Sequence, residues 1–107
     1  MIFLVENFIR VAGKGDIKPG EGKVVIIQDT EIALFNIDGE FFAISNACPH
    51  RGGPLGEGFV DGDVVTCPWH GWRFNVKTAI SPVIPNLKIS SYNVKVEGDD
   101  VMVSLIP

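Results

Sequence analysis

The pattern of apolar and polar residues along the chain predicts short β-strands joined by tight turns. Apolar runs are brief and end at turn-forming residues, and towards the end of the chain apolar and polar residues alternate. Asp38-Gly39 separates two such runs and is typical of a two-residue hairpin turn, because glycine accepts the positive φ that this turn needs. The predicted strands are residues 3–11, 24–27, 31–37, 40–44, 59–60, 64–66, 72–75, 92–96 and 101–105. We therefore predict an all-β fold.

Length, charge and the first residues narrow the class of protein. A chain of 107 residues that is 46% hydrophobic is expected to form one globular domain. A net charge of -4 argues against a nucleic-acid partner, because phosphate binding needs a basic face. Residues 1–6 lack the basic start of a secretory signal and no apolar run could cross a bilayer, so we predict a cytoplasmic protein without membrane association. In the cytoplasm, cysteines bind metals more often than they form disulfides.

Two short stretches hold every cysteine and histidine of the chain. The first is Cys48-Pro49-His50 and the second is Cys67-Pro68-Trp69-His70, so each offers one thiol and one imidazole. Thiolates and imidazoles are ligands of both zinc and iron–sulfur centres. We therefore predict that Cys48, His50, Cys67 and His70 bind a metal centre between the two stretches.

The spacing of these four residues leaves three interpretations open. Incidental thiols, or a disulfide, beside incidental histidines would not be expected to fall into two matching motifs. A tetrahedral zinc site suits the ligand set, although zinc fingers commonly keep like ligands close in sequence. A two-iron, two-sulfide cluster, with both cysteines on one iron and both histidines on the other, explains why each stretch mixes the two ligand types.

A family resemblance rests on two longer stretches, Cys48-Pro49-His50-Arg51-Gly52-Gly53 and Cys67-Pro68-Trp69-His70-Gly71-Trp72-Arg73-Phe74. They resemble the two boxes of the Rieske family, and most closely those of the ferredoxins of bacterial aromatic-ring-hydroxylating dioxygenase systems. The resemblance implies one [2Fe–2S] cluster on the four ligands and three small antiparallel sheets. It also implies a single domain over residues 1–107, with a cluster-binding subdomain inserted into the base at about 45–80 and a third loop at 82–85.

The resemblance implies an electron carrier rather than an enzyme. A mononuclear iron oxygenase needs two further histidines and a carboxylate, and both histidines of this chain are already assigned. The expected role is one-electron transfer from an NAD(P)H-dependent flavin reductase to a terminal oxygenase, by a monomer that docks transiently. A small subunit of a larger oxidoreductase, such as a nitrite reductase, is the alternative, and a zinc-stabilised interaction module is a third possibility.

Residues around the two boxes differ from those of other Rieske proteins in two respects. High-potential members carry a disulfide and two hydroxyl donors near the cluster, where the resemblance puts Gly53, Trp69, Trp72 and Phe74 in this chain. Without those donors the reduced cluster is less stabilised, so we predict a potential near the lower end of the Rieske range, about -150 mV. Ala79 stands where family members often have glycine, which predicts an altered turn there.

Overall fold

The computed structural model describes residues 8–49, 51–69 and 71–105. In this part of the chain nine strands and two single 3₁₀ turns form the fold, so the predicted all-β class is confirmed. None of the helices within those residues is long and apolar enough to span a membrane. The strands are β1 (Phe8–Gly13), β2 (Glu21–Ile27), β3 (Thr30–Ile37), β4 (Glu40–Ser45), β5 (Phe59–Asp61), β6 (Val64–Thr66), β7 (Arg73–Asn75), β8 (Ser91–Glu97) and β9 (Asp100–Ser104), and the 3₁₀ turns are Lys14–Asp16 and Leu55–Glu57.

The strands form three antiparallel groups of three. One group is β1-β9-β8, the second is β4-β3-β2 and the third is β5-β6-β7. The first two groups join into a six-stranded sheet through only two residue pairs between β4 and β8, Ala43 with Tyr92 and Ile44 with Ser91. The predicted three small sheets are therefore present, with two of them joined at one narrow contact.

Strand β2 begins three residues earlier than the apolar run had predicted. Glu21 pairs with Asn36, and the pairing continues without interruption to Ile27 opposite Thr30. Glu21 and Lys23, in the early part of the strand, are polar and exposed. This part therefore lacks the apolar run that predicts a strand at 24–27. The prediction for residues 3–11 is tested only from residue 8 onward, where β1 begins, since its earlier part lies outside the described residues.

Both faces of β3 are buried, and they face different cores. Ile32 and Leu34 belong to a core within the six-stranded sheet, together with Val101 and Val103. Their neighbours Ala33, Phe35 and Ile37 point to a second core that also contains Cys48 and Cys67. Side chains alternate between the faces of a strand, so one strand serves as the wall between the two cores. The cysteines are thereby fixed against the most deeply buried strand of the sheet.

Candidate metal centre

The two cysteine loops have the same backbone geometry. The amide N–H of Gly52 donates to the carbonyl oxygen of Cys48 at 2.6 Å, and that of Gly71 donates to the carbonyl oxygen of Cys67 at 3.1 Å. In both loops the glycine follows four residues after the cysteine and has a positive φ, 74° and 76°. Left-handed backbone is costly for residues with a Cβ, so the chain turns back on itself in both places at a glycine.

Each loop is closed a second time by the amide of its own cysteine. The N–H of Cys48 donates to the carbonyl oxygen of Gly53 at 3.0 Å, and the N–H of Cys67 donates to that of Trp72 at 2.7 Å. The first loop follows β4, and the second connects β6 to β7. Both cysteines therefore stand at the ends of strands, inside loops that two hydrogen bonds hold shut.

The structure brings Cys48 and Cys67 together in one apolar core. The two residues are only 2% and 3% exposed, and Leu55, Val65 and Phe74 belong to the same core. Burial disfavours free water around the sulfur atoms, and it lowers the dielectric constant around any bound metal. His50 and His70, the other two predicted ligands, lie outside the described residues.

Gly53 is where the first loop contacts the second. A Cβ atom at Gly53 would lie 2.6 Å from the Sγ atom of Cys67 and 3.1 Å from Cγ of Trp69. Real Cβ atoms do not approach so closely, so only glycine lets the backbone of the first loop reach the thiol of the second. The geometry fits a centre cradled between two loops, and the thiol pair fits a soft metal such as iron or zinc.

The described residues by themselves do not make a complete metal site. Among them, no three cysteine, histidine or carboxylate groups are close enough to hold an ion. The two buried thiols are thus half of the predicted ligand set, and the remaining donors would have to come from His50 and His70. Two thiolates on their own leave a tetrahedral metal with open positions.

Asn46 is a residue of the site that no motif or spacing in the sequence indicates. It is 2% exposed and lies two residues before Cys48. Its Oδ1 accepts from the N–H of Gly56 at 2.8 Å, while its Nδ2 donates to Oε1 of Glu31 at 3.0 Å. Its carbonyl oxygen accepts from the N–H of Leu55 at 2.8 Å. Asn46 therefore ties the neck of the first loop both to β3 and to the segment that follows the loop.

A third segment, residues 81–86, is held in a turn by Ser81. The Oγ of this buried serine accepts from the N–H groups of Val83 and Ile84, at 3.1 and 2.9 Å. The segment is not helical, which agrees with the third loop that the resemblance implies at 82–85. Ala79, just before it, is fully buried and has a φ of 62°. Ala79, which stands where family members often have glycine, thus adopts a backbone conformation that glycine adopts more easily.

The aromatic residues of the second box differ in exposure. Phe74 is fully buried in the core that holds the cysteines, and Trp72 packs against that core. Trp69 is 57% exposed, although one side of its ring lies against Gly53. Phe74 and Trp72 therefore help to exclude water from the cysteines, while Trp69 remains available at the surface.

Comparison with known proteins identifies this pair of loops. The family model described as the Rieske [2Fe–2S] domain matches residues 7–103. The chain belongs to the Rieske family. The predicted cofactor, one [2Fe–2S] cluster, is confirmed with it.

Relatives of this Rieske domain are named as ferredoxins of dioxygenase systems. The ferredoxin component of the naphthalene 1,2-dioxygenase system of Pseudomonas aeruginosa is 34% identical over 95% of this chain and 99% of its own length. The biphenyl dioxygenase ferredoxin subunit of a Pseudomonas species is 37% identical over 91% of each chain. A ferredoxin solved in complex with the oxygenase of carbazole 1,9a-dioxygenase superposes with a TM-score of 0.84 and 29% identity, over 94% of each chain.

Proposed function

We propose that this Rieske domain is the ferredoxin of an oxygenase system and carries one electron at a time to a terminal oxygenase. The observation that supports it most is the pair of buried thiols in matched loops, joined at Gly53. Relatives of similar length that are 34% and 37% identical are named as ferredoxin components. A solved structure named as the small subunit of a putative nitrite reductase has a TM-score of 0.80 but only 20% identity, so it shares the fold and supports no role. The carrier role is therefore preferred to that of a fixed subunit.

We assign four ligands to the cluster. Cys48 and Cys67 would bind the inner iron, because their side chains lie in the core. His50 and His70 would bind the outer iron, which follows from the mixed ligand types of the two boxes. When bound, the cluster accepts and releases one electron. The protein's part is to bury the thiolates, to keep water from them and to hold the loops in one geometry, so that little rearrangement accompanies the transfer.

The aromatic surroundings support a low reduction potential. Phe74 is fully buried beside the cysteines and has no hydroxyl group to donate to sulfur. Gly53, which contacts the Sγ of Cys67, has no side chain at all. A cluster that gains negative charge on reduction receives fewer donors here than in high-potential relatives, so the midpoint should lie at about -150 mV. A ferredoxin with this potential suits an NAD(P)H-dependent flavin reductase as its donor.

The proposal extends to how the protein is organised. We infer a single domain whose cluster-binding part spans about residues 45–80, and a cytoplasmic monomer that meets its reductase and its oxygenase in turn. Transient partners of this kind share small interfaces, and exchange requires that one exposed face serve both. Trp69 is the exposed aromatic residue beside the first loop, and it is available to such a face.

Spectroscopy of the iron-loaded protein tests the assignment. We expect about two iron and two sulfide per chain, red-brown colour, and an EPR signal on one-electron reduction with the low average g value of mixed ligation. That signal should be removed by each of four single substitutions: Cys48→Ser, Cys67→Ser, His50→Asn and His70→Asn. Trp69→Phe is the matched control, because it alters the second box without removing a ligand. A colourless protein that holds zinc after anaerobic reconstitution would contradict the proposal.

Reconstitution tests the carrier role separately. The reduced protein should pass its electron to a dioxygenase terminal component and be reduced again by a flavin reductase with NADPH or NADH. Gel filtration of the protein alone should give a monomer. Permanent association with a single large partner, without exchange, would favour the alternative of a fixed subunit.

A further inference from the structure

Charge is distributed unevenly along the chain. Residues 46–90 contain four basic and three acidic side chains, whereas the rest of the chain contains five basic and ten acidic ones. The segment with both cysteine loops therefore has a net charge of +1, although the protein as a whole has -4. The sign of the overall charge does not describe the surface beside the metal centre.

Two arginines adjoin the cysteine loops. Arg51 lies within the first loop, and Arg73 directly follows Trp72, whose carbonyl oxygen closes the second. Both side chains are exposed, and neither forms a salt bridge with another described residue. Their charges are available to an approaching partner.

Two of the three acidic residues of the same segment, Asp61 and Asp63, lie at the end of the three-stranded sheet away from the second loop, while Glu57 is exposed in the 3₁₀ turn that follows the first loop. Arg73 pairs with Thr66 at the end of the three-stranded sheet that leads into the second loop. Asp61 pairs with Val64 at the opposite end, two residues along the strands. Two residues of strand span about 7 Å. Asp63, in the turn beyond, is already paired with Lys77 at 3.6 Å.

Trp69, in the second loop, is an apolar anchor at the place where this loop contacts the first. The ring of Trp69 stands against Gly53, with ring carbons 3.1 and 3.2 Å from the position that a Cβ would occupy. More than half of the side chain is nevertheless exposed. A large aromatic side chain that is already held on one side loses little conformational entropy when a partner covers the other, which favours it as a binding hot spot.

We propose that the exposed side chains at the two loops, Trp69 together with Arg51 and Arg73, dock onto an apolar surface rimmed by carboxylates on the electron-transfer partner. The inference rests on the proposed function and adds the chemistry of the partner's surface. An acidic rim on the partner is the opposite of what the overall charge favours, because a protein of charge -4 would be steered towards a basic patch. At an ionic strength of 0.1 M the Debye length is about 10 Å, so charges on the loops outweigh charges at the far ends of the sheets. Glu31 is an acidic side chain of the larger sheet that stays close to the first loop, because its Oε1 accepts from Nδ2 of Asn46 at 3.0 Å.

The charge of the cluster also contributes to the net charge beside the two loops. Two ferric ions, two sulfides, two thiolates and two neutral imidazoles sum to no formal charge, and reduction adds one negative charge. Two arginines more than offset it, so the face of the reduced protein stays positive. Substitution of both arginines by glutamine leaves it negative.

Small one-electron oxidants measure the sign of this charge without the natural partner. The reduced iron-loaded protein is mixed with ferricyanide, which takes one electron and becomes ferrocyanide, at ionic strengths from 0.1 to 1 M. We expect the rate constant to fall by about tenfold across this range, at the lower end of electrostatic steering effects. A cationic cobalt(III) complex, which becomes cobalt(II), should instead react faster as salt is added.

Paired variants separate local from overall charge. In R51Q/R73Q the salt dependence with ferricyanide should reverse, whereas in K14Q/K18Q, which loses two exposed lysines of the base, it should be unchanged. The rate constants of all three proteins should converge at 1 M salt, provided that the substitutions leave the reduction potential of the cluster unchanged. A ferricyanide rate that rises with salt in the native protein, or an equal response of the two double variants, would overturn the inference. A protein without a reducible cluster would instead contradict the proposed function.

Discussion

The role of Asn46 can be isolated by comparison with a second buried asparagine. Asn46→Ala removes the acceptor of the buried Gly56 N–H and the donor to Glu31. A buried donor left without a partner costs about 1–3 kcal/mol. Because the lost contacts close the neck of the first loop, we expect part of this cost to appear as local opening of the loop that contains Cys48.

Asn36 provides the matched control. It is 5% exposed, its Nδ2 donates to the carbonyl oxygen of Ile17 at 2.8 Å, and its Oδ1 accepts from the N–H of Gly39 at 2.8 Å. Asn36→Ala therefore removes the same kind of side chain and the same number of hydrogen bonds, in a part of the sheet away from the cysteine loops. Its cost should also be about 1–3 kcal/mol, and it should affect global unfolding alone.

Two assays distinguish these effects. Denaturant unfolding measures the free energy of unfolding, and transfer of iron to a chelator in native buffer measures opening of the loops. Both variants should lose similar stability, but only Asn46→Ala should release iron faster than its stability predicts, by about 5- to 30-fold for one or two kcal/mol of local opening. Equal iron release from the two variants would refute the reasoning.

Exchange of donor and acceptor gives a second check. Asn46→Asp keeps an acceptor for Gly56 but puts a carboxylate against that of Glu31. The double variant Glu31→Gln with Asn46→Asp restores a donor between the two side chains, in the reverse direction. Iron release should be fast in the single variant and slow again in the double one. Without such recovery, the contact between β3 and the loop would have no part in holding Cys48.

Further predictions concern backbone positions and the potential. Gly53→Ala should block cluster assembly, measured as iron per chain, because its Cβ would lie 2.6 Å from the Sγ of Cys67, whereas Gly15→Ala, which meets nothing within 4 Å, should assemble normally. Gly52→Ala and Gly71→Ala should each lose about 1–2 kcal/mol of stability from left-handed strain, and unequal losses would argue against equivalent turns. Ala79→Gly should leave the melting temperature nearly unchanged, because relief of about 1–2 kcal/mol of strain is offset by the lost burial of a methyl group and the flexibility of glycine, at roughly 0.8 and 0.5–1 kcal/mol. Voltammetry should give a midpoint of about -150 mV, and a value well above zero would contradict the missing-donor argument.

Local signals were sufficient to predict the class of fold, and they also select the two cysteines that the structure buries in one core. The Asp38-Gly39 turn and the alternation after residue 91 both depend on neighbours in sequence, and the structure has hairpins at both places. Cys48 and Cys67 are conspicuous because cysteine is rare in the chain and because proline and then histidine follow each of them. Information of this kind is carried by composition and short-range spacing.

Features that depend on distant residues were not predictable in the same way. The partners of Asn46 are 10 and 15 residues away in sequence, and no periodicity connects them. The first half of β2 is polar on its exposed side and is a strand because β3 pairs with it. The contact of Gly53 with Cys67 arises only when two hairpins are brought together. Tertiary packing decided each of these.

The two motifs differ in the spacing from cysteine to histidine, but the backbone turns of their loops are alike. Histidine follows cysteine after one residue in the first box and after two in the second, which suggests loops of unequal size. The closing glycine is nevertheless four residues after the cysteine in both, with φ values of 74° and 76°. Loop size is thus set by glycine and by the hydrogen bond to the cysteine carbonyl, while the position of histidine within the loop is free to differ.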